Sequence, residues 1–289
     1  MTTVLITGTT GLVGSHICEF LKRNTGWEVT GLSRRAGDAV DVIADLSDRH
    51  AVEHLRSVRT FDYIVHTAAV TKTDICEKQK EACYAANVTA TKNLAEVFSS
   101  SKMVFFSTYA VYNTVSGNCD ETCPISPTNH YISTKIEAEG IVNALPRSLI
   151  VRPSVIFGYT RFERETKNYF MQLLDNVRAK RKMQSPTDQY FNPVHVDWVT
   201  RLVYRALEKG IDGVYNIGCN EAISKYDFNR KVMKRFGFDE SLLEGIRSAD
   251  LRVVRPDNGT ISSAKIQTAL GCRIPPLDEM IERLYASMR

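Results

Sequence analysis

Two clusters of residues in this chain have the types and the spacing that chemistry needs. The first, Gly8-Thr9-Thr10-Gly11-Leu12-Val13-Gly14, directly follows the apolar run Val4-Leu5-Ile6-Thr7. In a strand-to-helix turn three glycines do separate work: one permits the tight turn, one lets the backbone approach a pyrophosphate, and one lets the helix lie close to the strand. The helix start then offers unpaired N–H groups and a positive dipole end to phosphate. The candidate contacts are Gly8, Thr10, Gly11, Leu12, Val13 and Gly14. The second cluster is Tyr131-Ile132-Ser133-Thr134-Lys135, which puts a phenol and an ammonium group four residues apart on one helix face. Of the 12 tyrosines, only Tyr131 has a lysine four residues later. A free phenol titrates near pH 10, so it exchanges protons poorly at neutral pH. A nearby lysine and a positively charged nicotinamide are expected to stabilise the phenolate and bring that pKa down. The two clusters, in this order, imply dinucleotide-dependent acid/base and redox chemistry.

The residues after the second apolar run indicate which dinucleotide. An Asp or Glu there would accept hydrogen bonds from the adenosine ribose and favour NAD(H). This chain has Ser33-Arg34-Arg35, and a guanidinium grips phosphate with two parallel hydrogen bonds. NADP(H) is therefore expected over NAD(H). Asp45 and Leu46, at the end of the third run, are expected to hold the adenine through a carboxylate contact and an apolar lid.

These residues need a scaffold, and the hydrophobic pattern describes one. Short β-branched runs at Val4–Thr7, Trp27–Leu32, Val40–Ile43, Phe61–His66, Met103–Phe106 and Leu149–Val151 alternate with helical stretches over about 12–22, 77–100 and 131–143. That alternation predicts an α/β fold, a Rossmann-type doubly wound parallel sheet with helices on both faces. After Pro153 the rhythm breaks, and Ser185-Pro186-Thr187-Asp188 reads as a loop. A helix after Val196-Asp197 and a strand at Val214–Ile217 read as a return to the sheet. Ser224 is placed to cap a helix through Phe236, and Pro275-Pro276 to start the last one. The expected domains are 1–155 with a returning segment about 191–220 for the dinucleotide, and a smaller C-terminal α/β substrate domain from 156–190 and 221–289.

Composition limits the alternatives. At 43% hydrophobic and 24% charged residues the chain is an ordinary globular protein, and its net charge of +4 is too mild to imply nucleic acid. No apolar run approaches the roughly 20 residues that span a bilayer. Met1-Thr2-Thr3 leads straight into the first strand without a basic stretch, so no secretory leader is expected. The seven cysteines form no CxxC pair and read as reduced, in a cytoplasmic protein. His50-Ala51-Val52-Glu53-His54 spells a zinc-peptidase letter pattern but falls on a crossover helix outside the sheet, so no metal is expected. The basic run Arg178–Lys182 reads as a solvated helix end, and Asn87-Val88-Thr89 as a sequon without consequence.

With these residues in view, the sequence resembles the extended short-chain dehydrogenase/reductase family over nearly its whole length. The family's TGxxGxxG start is matched by Thr7–Gly14, its alanine pair by His66-Thr67-Ala68-Ala69, its hydroxyl segment by Ser107-Thr108-Tyr109-Ala110-Val111-Tyr112, and YxxxK by Tyr131–Lys135. Asn87, in Ala86-Asn87-Val88, matches the family's helix asparagine, and Ile132 stands where the family often has Gly. The resemblance implies that Thr108 hydrogen-bonds the substrate oxygen, that Tyr131 donates or accepts the proton, and that Lys135 binds the nicotinamide ribose and tunes the tyrosine. It adds Thr67, Ala68, Ala69 and Asn87 to the cofactor contacts.

The second half is similar to the dTDP-4-dehydrorhamnose reductase branch, through Asp188-Gln189-x-x-Asn192-Pro193-Val194-His195-Val196-Asp197, Arg255-Pro256-Asp257-Asn258-Gly259 and Leu270-Gly271-x-x-x-Pro275-Pro276. That branch reduces the 4-keto carbon of a nucleotide-linked 6-deoxysugar. The expected partners are a nucleotide-diphosphate sugar, contacted by Thr71, Thr108 and Arg255, and a second copy in a homodimer; neither nucleic acid nor membrane is expected. Two other outcomes are open. The same residues serve nucleotide-sugar epimerases and dehydratases, although Thr108 is followed by Tyr109 and Ala110 rather than by a dehydratase's acidic residues. Relatives of the branch also include a cofactor-binding regulatory subunit without turnover.

Overall fold

The computed structural model describes residues 1–112, 116–160, 168–250 and 258–288. The chain divides into two compact units. The first comprises Met1–Val111, Ile125–Arg152 and Thr200–Tyr215; the second comprises Tyr112–Pro124, Pro153–Val199 and Asn216–Arg289. These bounds differ from the expected ones at 112–124, 153–155, 191–199 and 216–220, which fall with the second unit.

A seven-stranded sheet organises the first unit. Its strands are β1 (Thr3–Thr7), β2 (Glu28–Ser33), β3 (Val42–Ile43), β4 (Tyr63–His66), β5 (Lys102–Phe106), β6 (Ser148–Pro153) and the strand Gly213–Ile217. Across the sheet they run Gly213–Ile217, β6, β5, β4, β1, β2, β3, and the five pairings from β3 to β6 are parallel. β5 is buried along its whole length, which is why it reads as an unbroken apolar run instead of alternating. Its one charge, Lys102, is fully buried and donates to the Ile211 carbonyl at 2.6 Å while pairing with Asp212 at 2.8 Å. β3 begins at Val42, not Val40, because Val40 N–H closes a tight turn onto Gly37 O at 2.9 Å.

The strand order reverses between β1 and β4, so the connections there leave toward opposite faces and open a crevice at the strands' C-terminal ends. Flanking helices include α1 (Leu12–Asn24) and α2 (Arg49–Val58). The stretch expected as one helix over 77–100 is broken into α3 (Thr73–Lys78), α4 (Lys80–Tyr84), a π-helical turn (Ala85–Thr89) and α5 (Ala90–Val97). Gln79, at φ −129° and ψ 62°, leaves the helical region and separates α3 from α4. α6 (His130–Asn143) follows. Leu5, Leu32, Ile64 and Phe105 from the strands meet Val52, Leu94, Ala138 and Val142 from the helices in one apolar core.

The expectation that all cysteines are reduced is corrected. Cys76 of α3 and Cys83 of α4 form a disulfide, seven residues apart with Cα atoms 5.2 Å apart. The break at Gln79 turns the two helices so that their cysteines meet. Cys18, Cys119, Cys123, Cys219 and Cys272 are free.

The second unit holds three two-stranded pairings: Ile156–Phe157 with Val194–His195 (parallel), Tyr190–Phe191 with Ile223–Ser224 (antiparallel) and Met183–Pro186 with Leu243–Ile246 (parallel). The stretch 185–188, expected as a loop, begins as strand, with Ser185 and Pro186 paired to Gly245 and Ile246. Proline is tolerated there because it stands at a strand end. Ser224 caps the helix Lys225–Phe236, its Oγ accepting from Asp227 N–H at 3.0 Å. Phe228 on that helix stacks edge-on against Phe157 and Phe191, with centroids 5.2 and 5.5 Å away. Pro276 directly precedes the last helix, Leu277–Ala286. Among the described residues no helix is long and apolar enough to cross a membrane.

Candidate active site

The glycine turn sits in the crevice beside the reversal. Gly8 has φ +75°, a left-handed conformation that side chains disfavour, and a Cβ on it would lie 2.7 Å from Ala68 N. A Cβ on Gly14 would lie 2.5 Å from Gly8 O and 2.7 Å from Thr67 Oγ1. Gly8 N–H donates to Leu32 O at 2.8 Å and Gly11 N–H to Gly8 O at 2.7 Å, which ties the turn to β2. Gly11 caps α1 without any side-chain bond, and the first turn carries no acidic residue. The N–H groups of Leu12, Val13 and Gly14, in the first turn, have no acceptor within the helix and lie at the positive end of its dipole.

The residues on the β2 side divide. Thr10 Oγ1 and Ser33 Oγ are 2.9 Å apart, and Arg34 and Arg35 are exposed just beyond the strand. Asp45 accepts from Ser47 N–H at 2.9 Å and Ser47 Oγ at 2.7 Å. Burial pushes its pKa up, but the Ser47 bonds and the Arg34 charge outweigh that and hold the carboxyl below its usual range. Leu46 is not an apolar lid. It is only 4% exposed and belongs to the core with Val52 and Leu94.

On the β4 side, Thr67 Oγ1 donates to Thr7 O at 2.6 Å and Ala68 N–H to Thr7 Oγ1 at 3.3 Å. Asn87, expected among the cofactor contacts, is buried and spends its amide internally. Its Oδ1 accepts from Val70 N–H at 2.8 Å, and its Nδ2 donates to Val70 O at 3.0 Å, Thr134 Oγ1 at 3.0 Å and Cys83 Sγ at 3.4 Å. It fastens the segment after β4 to α6. Thr71 is exposed, and Arg255 lies outside the described residues.

The acid/base set is assembled by α6. Asn129 caps the helix, its Oδ1 accepting from Ile132 N–H at 3.0 Å, which puts Tyr131 in the first turn. Tyr131 stands beside Thr108, which follows β5 and whose Oγ1 accepts from Ala110 N–H at 3.2 Å. Lys135 lies one turn on, buried, with Nζ 4.3 Å from the centre of the Phe105 ring. The expected lowering of the Tyr131 pKa is not what this environment produces. Burial drives it well above the usual phenol value, Tyr109 adds to this, and the Thr108 hydroxyl opposes both. Lys135 is itself pushed down to about 7 by burial, against the upward pull of Glu139.

Glu139 and Arg152 were not among the sequence candidates. They form a buried ion pair one turn beyond Lys135, and the i, i+4, i+8 spacing of Tyr131, Lys135 and Glu139 is the signal that marks that stripe. Ser107, next to Thr108, is buried with an Oγ that has no partner. An uncapped helix start, a turn with no room for side chains and an orphaned buried hydroxyl together fit a dinucleotide. Among the described residues no group of three or more His, Cys, Asp or Glu can hold a metal ion.

In the second unit, the residues that carry the reductase-branch pattern are largely internal. Gln189 accepts from Lys225 Nζ at 2.7 Å; Asn192 bridges Cys219 O and Ile261 O at 2.9 and 2.6 Å; His195 is buried against Phe157.

A family model described as RmlD substrate binding domain matches residues 1–289. The chain is 26% identical over 291 residues to a probable low-salt glycan biosynthesis reductase, Agl14, of Haloferax volcanii, covering 98% of this chain and 97% of that protein. It is 30% identical over 293 residues to methionine adenosyltransferase 2 subunit beta of Rattus norvegicus, covering 94% and 84%. Its fold is shared with the crystal structure of dTDP-4-dehydrorhamnose reductase from Bacillus anthracis in complex with NADP, at a TM-score of 0.85 and 21% identity, covering 99% and 100% of the two chains.

Proposed function

The chain belongs to the RmlD substrate-binding-domain family, and on that premise we propose that it is an NADPH-dependent reductase of a nucleotide-activated 4-keto-6-deoxysugar. The observation that carries the reading is the placement of Thr108 beside Tyr131, with Lys135 on the same helix face. A protein that only binds the cofactor does not need the full proton-transfer set. The strand reversal with its glycine turn, and the likeness to a structure described as binding NADP, support the dinucleotide.

When bound, NADPH supplies hydride to the carbonyl carbon. The rest falls to the chain. Thr108 Oγ holds the keto oxygen, and Tyr131 gives it the phenol proton. Burial keeps Tyr131 protonated until that moment, which suits a donor in the reductive direction. Lys135 binds the nicotinamide ribose and, as an ammonium, balances the phenolate that the transfer leaves. Gly8, Gly11 and the N–H groups of Leu12–Gly14 take the pyrophosphate. Arg34 and Arg35 take the ribose phosphate, and Arg255 the substrate diphosphate.

The test is NADPH oxidation by purified protein with a panel of nucleotide 4-keto-6-deoxysugars, with products identified by mass. Stoichiometric NADPH loss and a two-hydrogen mass gain are expected. A changed sugar without NADPH loss would replace the reading by epimerisation or dehydration. A second reading, a cofactor-binding subunit, is favoured by the 30% identity to a methionine adenosyltransferase subunit. It predicts NADPH binding without turnover and a stable complex with a second enzyme.

A further inference from the structure

Arg152 Nε donates to Glu139 Oε1 at 2.9 Å and its Nη2 to Glu139 Oε2 at 2.6 Å, and both side chains are buried. Glu139 stands four residues beyond Lys135 and eight beyond Tyr131, so the three follow one stripe of α6, and β6 supplies Arg152. A buried pair of this kind adds little stability over apolar side chains of the same size, because desolvation offsets the attraction. Its place beside the lysine therefore needs a separate account.

The groups around Lys135 and its helix neighbours supply one. Glu139 of α6 and His66 of β4 act on Lys135, and the Phe105 ring of β5 lies against its Nζ; Thr108 and Tyr109, after β5, stand by Tyr131, and Arg152 of β6 stands by Glu139. His66 is held neutral by burial, and Tyr131 is protonated. Glu139 is the one carboxyl group among these side chains. The guanidinium meets this buried carboxylate with two charged hydrogen bonds and so fixes its position.

We propose that Glu139 and Arg152 are a positioning pair for Lys135: the two-pronged Arg152 bond fixes the Glu139 carboxyl group one helical turn beyond Lys135, where its charge favours the ammonium form of the lysine. The proposal rests on the reading of Lys135 as part of the acid/base set. It extends that set by two residues that touch neither substrate nor cofactor.

The experiment is a pH titration of Lys135 in the unloaded protein, followed by the 13Cε shift of lysine-labelled samples, with the signal assigned by Lys135→Met. In Glu139→Gln the midpoint should fall by about one unit, a tenfold loss of proton affinity. Glu139→Asp, which keeps the charge, should restore most of the shift. Glu139→Gln/Arg152→Gln removes the guanidinium that the single change strands, so it answers the question if the single variant does not fold. It too should titrate below wild type. Where turnover is found, the alkaline limb of the rate profile should move to lower pH in Glu139→Gln. An unchanged midpoint in folded Glu139→Gln, or in the folded double variant, would overturn the proposal and leave the pair a structural one. Because the titration needs neither cofactor nor substrate, the pair's role and the reductase reading can fail separately.

Discussion

Thr7 Oγ1 lies 2.7 Å from His66 Nδ1, joining β1 to β4 at the point where the strand order reverses. The neighbouring bonds determine which atom donates. Thr91 Oγ1 gives its proton to Asn87 O at 2.7 Å, so at 3.1 Å it accepts from His66 Nε2. That leaves Nδ1 to accept from Thr7, whose own oxygen accepts from Ala68 N–H. One neutral imidazole tautomer thus connects both walls of the crevice to the π-helical turn.

Acid should attack this link. Burial, with the Lys135 charge adding to it, pushes the His66 pKa down from 6.5 to about 3. The unfolded chain binds a proton below about pH 6.5, whereas the folded one does not until about pH 3, so the contribution of His66 to stability is complete above the first value and lost toward the second. Each pH unit in that window should remove up to about 1.4 kcal/mol. Urea midpoints measured from pH 7 to pH 4 should fall more steeply for wild type than for His66→Gln, and parallel curves would show that another group is responsible.

Gly14→Ala should damage the crevice directly. With a Cβ 2.5 Å from Gly8 O, α1 must shift outward, costing about 1–3 kcal/mol. NADPH affinity, followed by nucleotide fluorescence, should weaken at least about tenfold. Unchanged affinity would mean that the pyrophosphate does not lie over this turn.

Tyr131→Phe removes the transferable proton and little volume. If the protein turns over a keto-sugar, the rate should fall by about 10²–10⁴-fold, while NADPH binding stays within a few-fold of wild type. Full activity would reassign the donor.

Arg34→Ala and Arg35→Ala together test the choice of nucleotide. Loss of charged hydrogen bonds to a ribose phosphate is worth about 1.5–3 kcal/mol, so KM for NADPH should rise about tenfold or more while KM for NADH barely moves. An equal change for both nucleotides would place the phosphate elsewhere.

How much of this was legible in the sequence depends on how local each determinant is. The glycine turn, the start of α6 at Asn129 and the Ser224 cap are set by a few adjacent residues, and pattern reading locates them. The stretch over 77–100 keeps a helical apolar period through Gln79 and the π-turn, so periodicity cannot reveal the break. The Cys76–Cys83 pairing depends on that break and was missed with it. Leu46 follows β3, a position that suggests a rim, whereas its side chain is buried in the apolar core. Glu139 lay on a visible stripe, but Arg152, its reason for being buried, is brought in from another strand.

The outermost strand, Gly213–Ile217, has a consequence for synthesis. About sixty residues separate it from its neighbour β6, and those up to Val199 are assigned to the second unit. At about 5–20 residues per second, the ribosome delivers it several seconds after β6. Until then the free side of β6 is an unpaired template and Lys102 has neither Ile211 nor Asp212 to meet its charge. The nascent protein is therefore most vulnerable to mispairing in that interval, and a chaperone that shields a sheet edge would have its greatest effect there.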